Sequence, residues 1–112
     1  MILTQTTPFT IKEIKILQEQ FDTYIKTVID VEGRVCSAGG DRHFDSEAAL
    51  LVRGSAQHNL WGGGVDVLTR KIDYNSFINV RPADNNPSNE ILLSDVRKKF
   101  EELMRYFFTE LL

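Results

Sequence analysis

Three side chains that can bind a metal or transfer a proton stand two residues apart in mid-sequence: His43, Asp45 and Glu47. Alternate residues of an extended strand point to the same face, so this spacing predicts that the three side chains share one site. One imidazole with carboxylates suits Mn, Mg or Fe, and it equally suits a general acid and base. These residues are therefore candidate ligands for a divalent metal, although no HxH or HExxH spacing accompanies them.

Two further carboxylates, Asp30 within a predicted strand and Glu32 directly after it, point to the same face as Val28. If the chain after Gly40 pairs nearby, His43 joins them, and Asp30, Glu32 and His43 become the candidate catalytic acids and bases. The structural alternative is a solvated acidic loop beside a histidine that caps a turn. These residues leave open whether the protein is an enzyme.

A second group of polar side chains, between Arg53 and Gly62, combines a hydroxyl, an amide and an indole around glycines. Ser55, Gln57 and Trp61 are candidate ligand-binding residues, because such groups orient small molecules at turns with accessible backbone amides. In the structural alternative, Trp61 anchors the core or an interface, while Ser55 and Gln57 bind turn amides. The glycines after Trp61 match no nucleotide-binding loop and predict a bulge or a close approach of the backbone to a partner.

Asn79 and Arg81 lie two residues apart, on one side of a predicted strand. An arginine on an internal strand needs a partner, because an unpaired buried charge is costly. The structural hypothesis pairs Arg81 with Asp30, Glu32 or Glu47. The functional hypothesis has Arg81 bind a phosphate or carboxylate of a ligand, which makes both Asn79 and Arg81 ligand-binding candidates.

Amphipathic helices are predicted near both ends of the chain. Thr10 and Glu13 have the spacing of a capping box, and Phe9 and Ile14 have that of a hydrophobic staple. The apolar stripe of this first helix runs through Ile14, Leu17, Phe21, Tyr24 and Ile25. The second helix is predicted to begin near Ser94, with a stripe of Val96, Phe100, Leu103, Phe107 and Leu111.

Short runs rich in β-branched or apolar residues predict strands between the two helices. They are Thr27–Val31, Val35–Ala38, Ala48–Val52, Val65–Leu68 and Ser76–Arg81. The turn residues Glu32–Arg34 make the first two a hairpin, and Pro82 closes the last strand. A helix over Asp45–Val52, capped by Asp45 or Ser46, is the open alternative to the third strand.

This organisation predicts a single α+β domain over residues 1–112, an antiparallel meander of four or five short strands with both helices packed on one face. The connections are too short for parallel crossovers. The other face then meets solvent or a partner, and Tyr106 and Phe108 add apolar surface beyond the stripe of the last helix. A homo-oligomer, in the simplest case a homodimer, is therefore expected.

Composition and charge narrow the functional classes. The chain of 112 residues is 42% hydrophobic and 26% charged, as ordinary globular proteins are. Its net charge of −3 disfavours nucleic-acid binding, and no apolar run approaches the roughly 18 residues of a membrane span. The single cysteine, Cys36, excludes an intramolecular disulfide and indicates a cytoplasmic protein, with a packed, inert thiol as its structural interpretation.

Four groups of residues carry a family resemblance. They are Asp30–Glu32; His43–Asp45 with Glu47 and Leu50–Leu51; Gly54–Ser55 with Gln57 and Leu60–Gly62; and Ile78–Pro82. In these segments the chain resembles a small family of single-domain prokaryotic proteins classed as a domain of unknown function. The resemblance extends from about Phe9 to Asn89 and implies no activity.

The expected function is that of a small cytosolic binding or interaction protein with a polar site near His43, Trp61 and Arg81. A small molecule is an expected partner there, whereas nucleic acid and membranes are not. The alternative is a small metal-assisted hydrolase, in which the three candidate ligands bind the metal and Asp30 or Glu32 is the base. The hydrolase requires these groups to converge on one point, whereas a binding groove tolerates their dispersal.

Overall fold

The computed structural model describes all 112 residues and shows three α-helices around a five-stranded antiparallel sheet. The strands are β1 (Leu3–Gln5), β2 (Tyr24–Asp30), β3 (Val35–Ala38), β4 (Leu60–Asp66) and β5 (Ile72–Asp73). The helices are α1 (Ile11–Leu17), α2 (His43–Val52) and α3 (Ser94–Phe107). Single 3-10 turns occur at Gln57–Asn59, Phe77–Asn79 and Pro82–Asp84. The predicted α+β class is confirmed.

The central strand β2 organises the sheet, whose order is β1-β3-β2-β4-β5. Ile29 of β2 stands opposite Cys36 of β3 on one side and Trp61 of β4 on the other. The predicted hairpin is confirmed, and its turn is closed by Asp30, whose Oδ1 accepts hydrogen bonds from the amides of Glu32 and Gly33. Aspartate side chains commonly stabilise a turn by accepting hydrogen bonds from the backbone amides that follow them.

The two faces of the sheet carry two separate cores. Side chains of β2 alternate, so Ile25 and Ile29 point to one face while Val28 points to the other. On the first face α1 and α3 close a core of 16 buried residues. On the second face α2 packs Leu50 against Val28 and Leu60. The terminal helices therefore share one face as predicted, and α2 covers part of the face that was expected to meet solvent or a partner.

The predicted start of α1 is confirmed, but its predicted end is wrong. Thr10 Oγ1 accepts from the Glu13 amide while the Glu13 carboxylate accepts from the Thr10 amide, which is a complete capping box. The helix ends at Leu17, however, and Tyr24 begins β2. All seven residues of β2 pair with β4, and this backbone pairing outweighs the helical spacing that extended the predicted stripe to Ile25.

Two predicted strands, Ala48–Val52 and Ser76–Arg81, are wrong. The first belongs to α2, so the helical alternative is correct. The helix begins at His43, however, and its N-cap is Arg42 rather than the expected Asp45 or Ser46; the Asp45 side chain accepts a hydrogen bond from the Arg42 amide. The second contains a 3-10 turn that begins after Ser76, whose side chain accepts from the Ile78 amide. Strand β4 begins at Leu60, earlier than predicted, and the short strands β1 and β5 were not predicted.

The predicted start of the last helix is confirmed, because Ser94 is the first residue of α3. Of the two residues expected to add apolar surface beyond its stripe, only Tyr106 is exposed, to 38%. Phe108 is fully buried with its ring centroid 5.2 Å from that of Phe9, and the Tyr106 hydroxyl donates to the carbonyl of Thr6.

None of the helices is both long and apolar enough to cross a membrane.

Candidate functional site

A groove lies between α2 and the segment Ser76–Asp84, and we call it the α2 groove. It contains two cavities that share Phe77 and Ile78 in their walls. The basic cavity, of about 350 Å³, is also lined by Lys26, Arg42, His43, Phe44 and Ser76. The acidic cavity, of about 450 Å³, is also lined by Glu47, Gln57, His58, Val80, Arg81, Ala83 and Asp84. Several residues nominated from the sequence therefore meet along one surface.

The helical form of α2 decides which candidate residues reach this groove. His43 and Glu47 are four residues apart and lie on the same side of a helix, whereas Asp45 lies on another side. The prediction that His43, Asp45 and Glu47 share one face is therefore wrong, since it depended on a strand. Nowhere in the chain are three or more histidine, cysteine, aspartate or glutamate side chains placed to hold a metal.

His43 has one ring nitrogen fixed and the other free. Its Nε2 lies 2.6 Å from the carbonyl oxygen of Gly63. Because a carbonyl only accepts, we assign the ring proton to Nε2, which leaves a lone pair on Nδ1. Burial lowers the pKa of His43 below its ordinary value of 6.5, although the bond to Gly63 opposes this shift. At neutral pH His43 therefore offers a hydrogen-bond acceptor to the basic cavity.

Lys26 and Arg42 give the basic cavity its charge. Lys26 Nζ donates to the Asp41 carbonyl at 2.6 Å and lies 4.9 Å from the centroid of the Phe21 ring. The four ion pairs of the structure are Met1–Glu19, Glu90–Arg97, Glu32–Lys99 and Glu101–Arg105. Neither cation of the cavity therefore has a carboxylate partner, and both remain available to an anion.

The glycine triplet after Trp61 allows the groove to form. Gly62 and Gly64 lie two residues apart on β4, so both are on the face of the sheet that α2 covers, and Gly62 also meets the segment Ser76–Asp84. A Cβ on Gly62 would come within 2.6 Å of the Ser76 Cβ, which is closer than carbon atoms approach. The predicted close approach of the backbone to a partner is thus confirmed, and the partner is a later segment of the same chain.

Glu47 lines the acidic cavity and has no partner. Its side chain is 7% exposed, accepts no hydrogen bond and takes part in none of the ion pairs. Ser46 Oγ is the one fully buried side-chain nitrogen or oxygen atom that has no hydrogen-bond partner, so the Glu47 oxygens are not fully buried. The unbonded oxygens of Glu47 are therefore open to the cavity that Glu47 lines.

Arg81 binds carbonyl oxygens rather than a carboxylate. Its guanidinium donates to Ile78 and His58 at 3.1 Å each and to Leu60, and it stacks 4.0 Å from the centroid of the Trp61 ring. Burial lowers the pKa of Arg81, and the charges of nearby carboxylates in the acidic cavity oppose this shift. The predicted ion pair with a carboxylate is therefore wrong, and Arg81 holds the wall of the acidic cavity in place.

Asn79 and Trp61, two other ligand-binding candidates, make buried structural contacts in this fold. The fully buried amide of Asn79 accepts from the Gly62 amide and donates to the carbonyls of Gly62, Tyr74 and Asn89. It therefore joins β4 to the wall of the groove. Trp61 is 3% exposed and belongs to the core beneath α1 and α3.

The remaining candidates lie outside the groove. Ser55 Oγ donates to Asp30 Oδ2 at 2.7 Å, so this pair joins the β2–β3 turn to the loop after α2. Glu32 is exposed and pairs with Lys99 of α3 at 2.7 Å. The set Asp30, Glu32 and His43, proposed as catalytic acids and bases, therefore does not converge. Within the second polar segment, Gln57 and His58 line the groove with Arg81.

Sequence reasoning missed several lining residues of the groove, among them Lys26, Arg42, Phe77 and His58. Lys26 fell between the end of the first predicted helix and the strand predicted to follow it, so it was given no role. Phe77 was placed within the predicted strand Ser76–Arg81, which the structure does not contain. No signal in the sequence places Phe77 opposite α2, because that position depends on the 3-10 turn.

Comparison with known proteins gives a family but no activity. No curated protein and no solved structure matches the chain significantly. A family model described as "Protein of unknown function (DUF5674)" matches residues 2–107, beyond both ends of the expected resemblance. The chain therefore belongs to this family of uncharacterised proteins, DUF5674.

Proposed function

We propose that this protein binds a small molecule, and that the ligand enters the α2 groove at the basic cavity. The observation that carries the proposal is a pair of cations, Lys26 and Arg42, which line one concave site without a carboxylate partner. The sequence predicted a polar site near His43, Trp61 and Arg81, and the proposal keeps these residues but divides them between the two cavities. His43 lines the basic cavity, while Trp61 supports Arg81 at the acidic one.

The proposed ligand is a small organic anion with an apolar body. Two cations attract a carboxylate or phosphate, and the free Nδ1 of His43 accepts a hydrogen bond from a neighbouring hydroxyl or amine. Phe44 and Phe77 are 64% and 85% exposed and stand at the edge of the cavity, where they can cover an apolar body. Concave sites with apolar walls and few polar groups are typical of small-molecule binding.

The direct test is an NMR titration of amide-labelled protein with benzoate, phenyl phosphate and uncharged benzyl alcohol. We expect the two anions to shift the amides around Lys26 and Arg42, and benzyl alcohol to have a much smaller effect. The double variant Lys26→Gln/Arg42→Gln should weaken binding by roughly tenfold or more. The control Lys12→Gln/Lys98→Gln removes the same charge from exposed sites and should leave the affinity unchanged. Equal binding by both double variants would reject the proposal.

We also infer a cytoplasmic location and self-association. The location is supported by Cys36, which is unpaired and completely buried. Self-association is supported by Leu51 and Val52, apolar residues that α2 exposes, Val52 to 89%. Light scattering at micromolar concentration should report a dimer, and Val52→Glu should shift it to a monomer. A monomeric wild-type protein would contradict this expectation.

A further inference from the structure

We propose that Glu47 is a second binding position, which receives a protonated amine or guanidinium group at the acidic cavity. The ligand of the α2 groove would then carry opposite charges at its two ends. The anionic end of this ligand rests on the proposed function. The position at Glu47 stands on observations of its own.

The first observation is a buried carboxylate without a partner. Burying a charge is costly unless it is paired or hydrogen-bonded, so such a group is rare in a folded protein. Asp30 is also buried, but its carboxylate accepts three hydrogen bonds, from Ser55, Glu32 and Gly33. Glu47 accepts none, its oxygens are not fully enclosed, and the residue lines a cavity of about 450 Å³.

The second observation is that Arg81 does not serve as this partner. Its guanidinium is occupied by the carbonyls of Ile78, His58 and Leu60 and makes no ion pair. Glu47 and Arg81 therefore interact only at a distance. Asp84, an exposed carboxylate of the same wall, adds a second negative charge. Two carboxylates against one guanidinium leave the cavity with a net negative charge, which favours a cationic group in a ligand.

The geometry of α2 joins this position to the basic cavity. His43 and Glu47 lie on one side of the helix, about 6 Å apart along its axis. The two cavities meet at Phe77 and Ile78. One extended molecule can therefore place its anionic group near Lys26 and its cationic group at Glu47. A ligand that spans this turn of the helix needs several methylene groups between its two charges, as in an ω-amino acid, whereas glycine is too short.

The competing explanation is structural: Glu47 balances the charge of Arg81 through the intervening solvent. The two explanations predict opposite effects of Glu47→Gln, which keeps the shape of the side chain and removes its charge. A binding carboxylate without a partner destabilises the free protein, so Glu47→Gln should leave the melting temperature unchanged or raise it. A structural counter-charge stabilises the protein, so the same variant should lower the melting temperature.

The experiment combines this stability measurement with NMR titrations of n-butylamine and of ω-amino acids from glycine to 6-aminohexanoate. Butylamine should shift the side-chain amide of Gln57 and the backbone amides near Glu47. Glu47→Gln should weaken this binding by roughly tenfold or more. The control Glu110→Gln, at an exposed carboxylate far along the chain, should change neither result. Among the ω-amino acids, affinity should rise with chain length beyond glycine.

The results for the two cavities are separable. Butylamine binding that is unaffected by Glu47→Gln, or a lowered melting temperature for that variant, overturns the position at Glu47, whatever benzoate does at the basic cavity. If butylamine binds through Glu47 and benzoate does not bind, the position at Glu47 is supported. That result would reject the proposed anion site and the ligand of opposite charges.

Discussion

The Nε2 atom of His43 lies 2.6 Å from the carbonyl oxygen of Gly63, so the first residue of α2 is hydrogen-bonded to the middle of β4. This bond joins α2, one side of the α2 groove, to β4, against which Ser76 of the other side packs. It also fixes the ring so that only Nδ1 can meet a ligand. The other side of the groove depends on Gly62 of the same strand, because a larger residue there would displace Ser76.

The first prediction concerns pH. The pKa of His43 is lower in the folded protein than its ordinary value of 6.5, chiefly because the ring is buried. The unfolded chain therefore binds a proton at higher pH than the folded chain does. The free energy of unfolding should be unaffected by this group above about pH 6.5 and should fall as the pH drops below it, by at most about 1.4 kcal/mol per pH unit.

Urea unfolding at several pH values between about 7.5 and 5 tests this expectation, since it gives the free energy of unfolding directly. His43→Gln should reduce the loss of stability on acidification. His58→Gln, which changes a ring without a hydrogen bond, is the matched control and should retain the wild-type slope. An unchanged slope in His43→Gln would mean that other groups control the pH dependence.

The second prediction concerns Gly62. In Gly62→Ala the new Cβ would lie 2.6 Å from the Ser76 Cβ and 3.1 Å from Ile78 Cγ1. The 3-10 turn must then move away from β4, which should cost about 1–3 kcal/mol. If Ser76 is the obstacle, Gly62→Ala should cost less when Ser76→Gly is already present, since the two sites are coupled. Urea unfolding of all four proteins measures that difference, and strictly additive costs would refute the assigned contact.

The third prediction concerns Asn79. Its buried amide makes four hydrogen bonds, two with Gly62 and one each with the carbonyls of Tyr74 and Asn89. Asn79→Ala leaves these buried backbone groups without partners, so we expect a loss of more than about 2 kcal/mol. The exposed Asn75 is a suitable control, and Asn75→Ala should cost less than about 1 kcal/mol. Similar losses for the two variants would show that Asn79 does not hold the groove wall.

How far the sequence predicts this fold depends on whether local signals agree with long-range pairing. The capping box at Thr10 and the β2–β3 hairpin are set by neighbouring residues, and both were predictable. The apolar run Ala48–Val52 has no clear period, so the choice between strand and helix depended on the sheet it packs against. The alternating run Ser76–Arg81 is typical of a strand. In the structure, however, the side-chain amide of Asn79 bonds the neighbouring backbone carbonyls, where a strand would use its own backbone amides.

The candidate site was predictable in part. His43, Glu47, Gln57 and Arg81 were nominated by their chemistry and do line the groove. The reason given for the first two was incorrect, because they meet through helical spacing and not through strand alternation. Lys26 was beyond reach of sequence reasoning, since its place in the site follows from the pairing of β2 with β4.

The last prediction concerns Arg81 and uses Trp61, which is the single tryptophan of the chain and lies 4.0 Å beneath the guanidinium. Lysine cannot reproduce a planar group that bonds three carbonyls while it stacks on an indole. Arg81→Lys should therefore reduce the free energy of unfolding by about 1–3 kcal/mol. It should also change the native fluorescence of Trp61, which reports on the stacking directly. Arg53→Lys, at an exposed arginine without a side-chain bond, should alter neither property. A loss of stability with unchanged fluorescence would assign the role of Arg81 to its hydrogen bonds alone, and no change in either would show that the groove wall does not depend on Arg81.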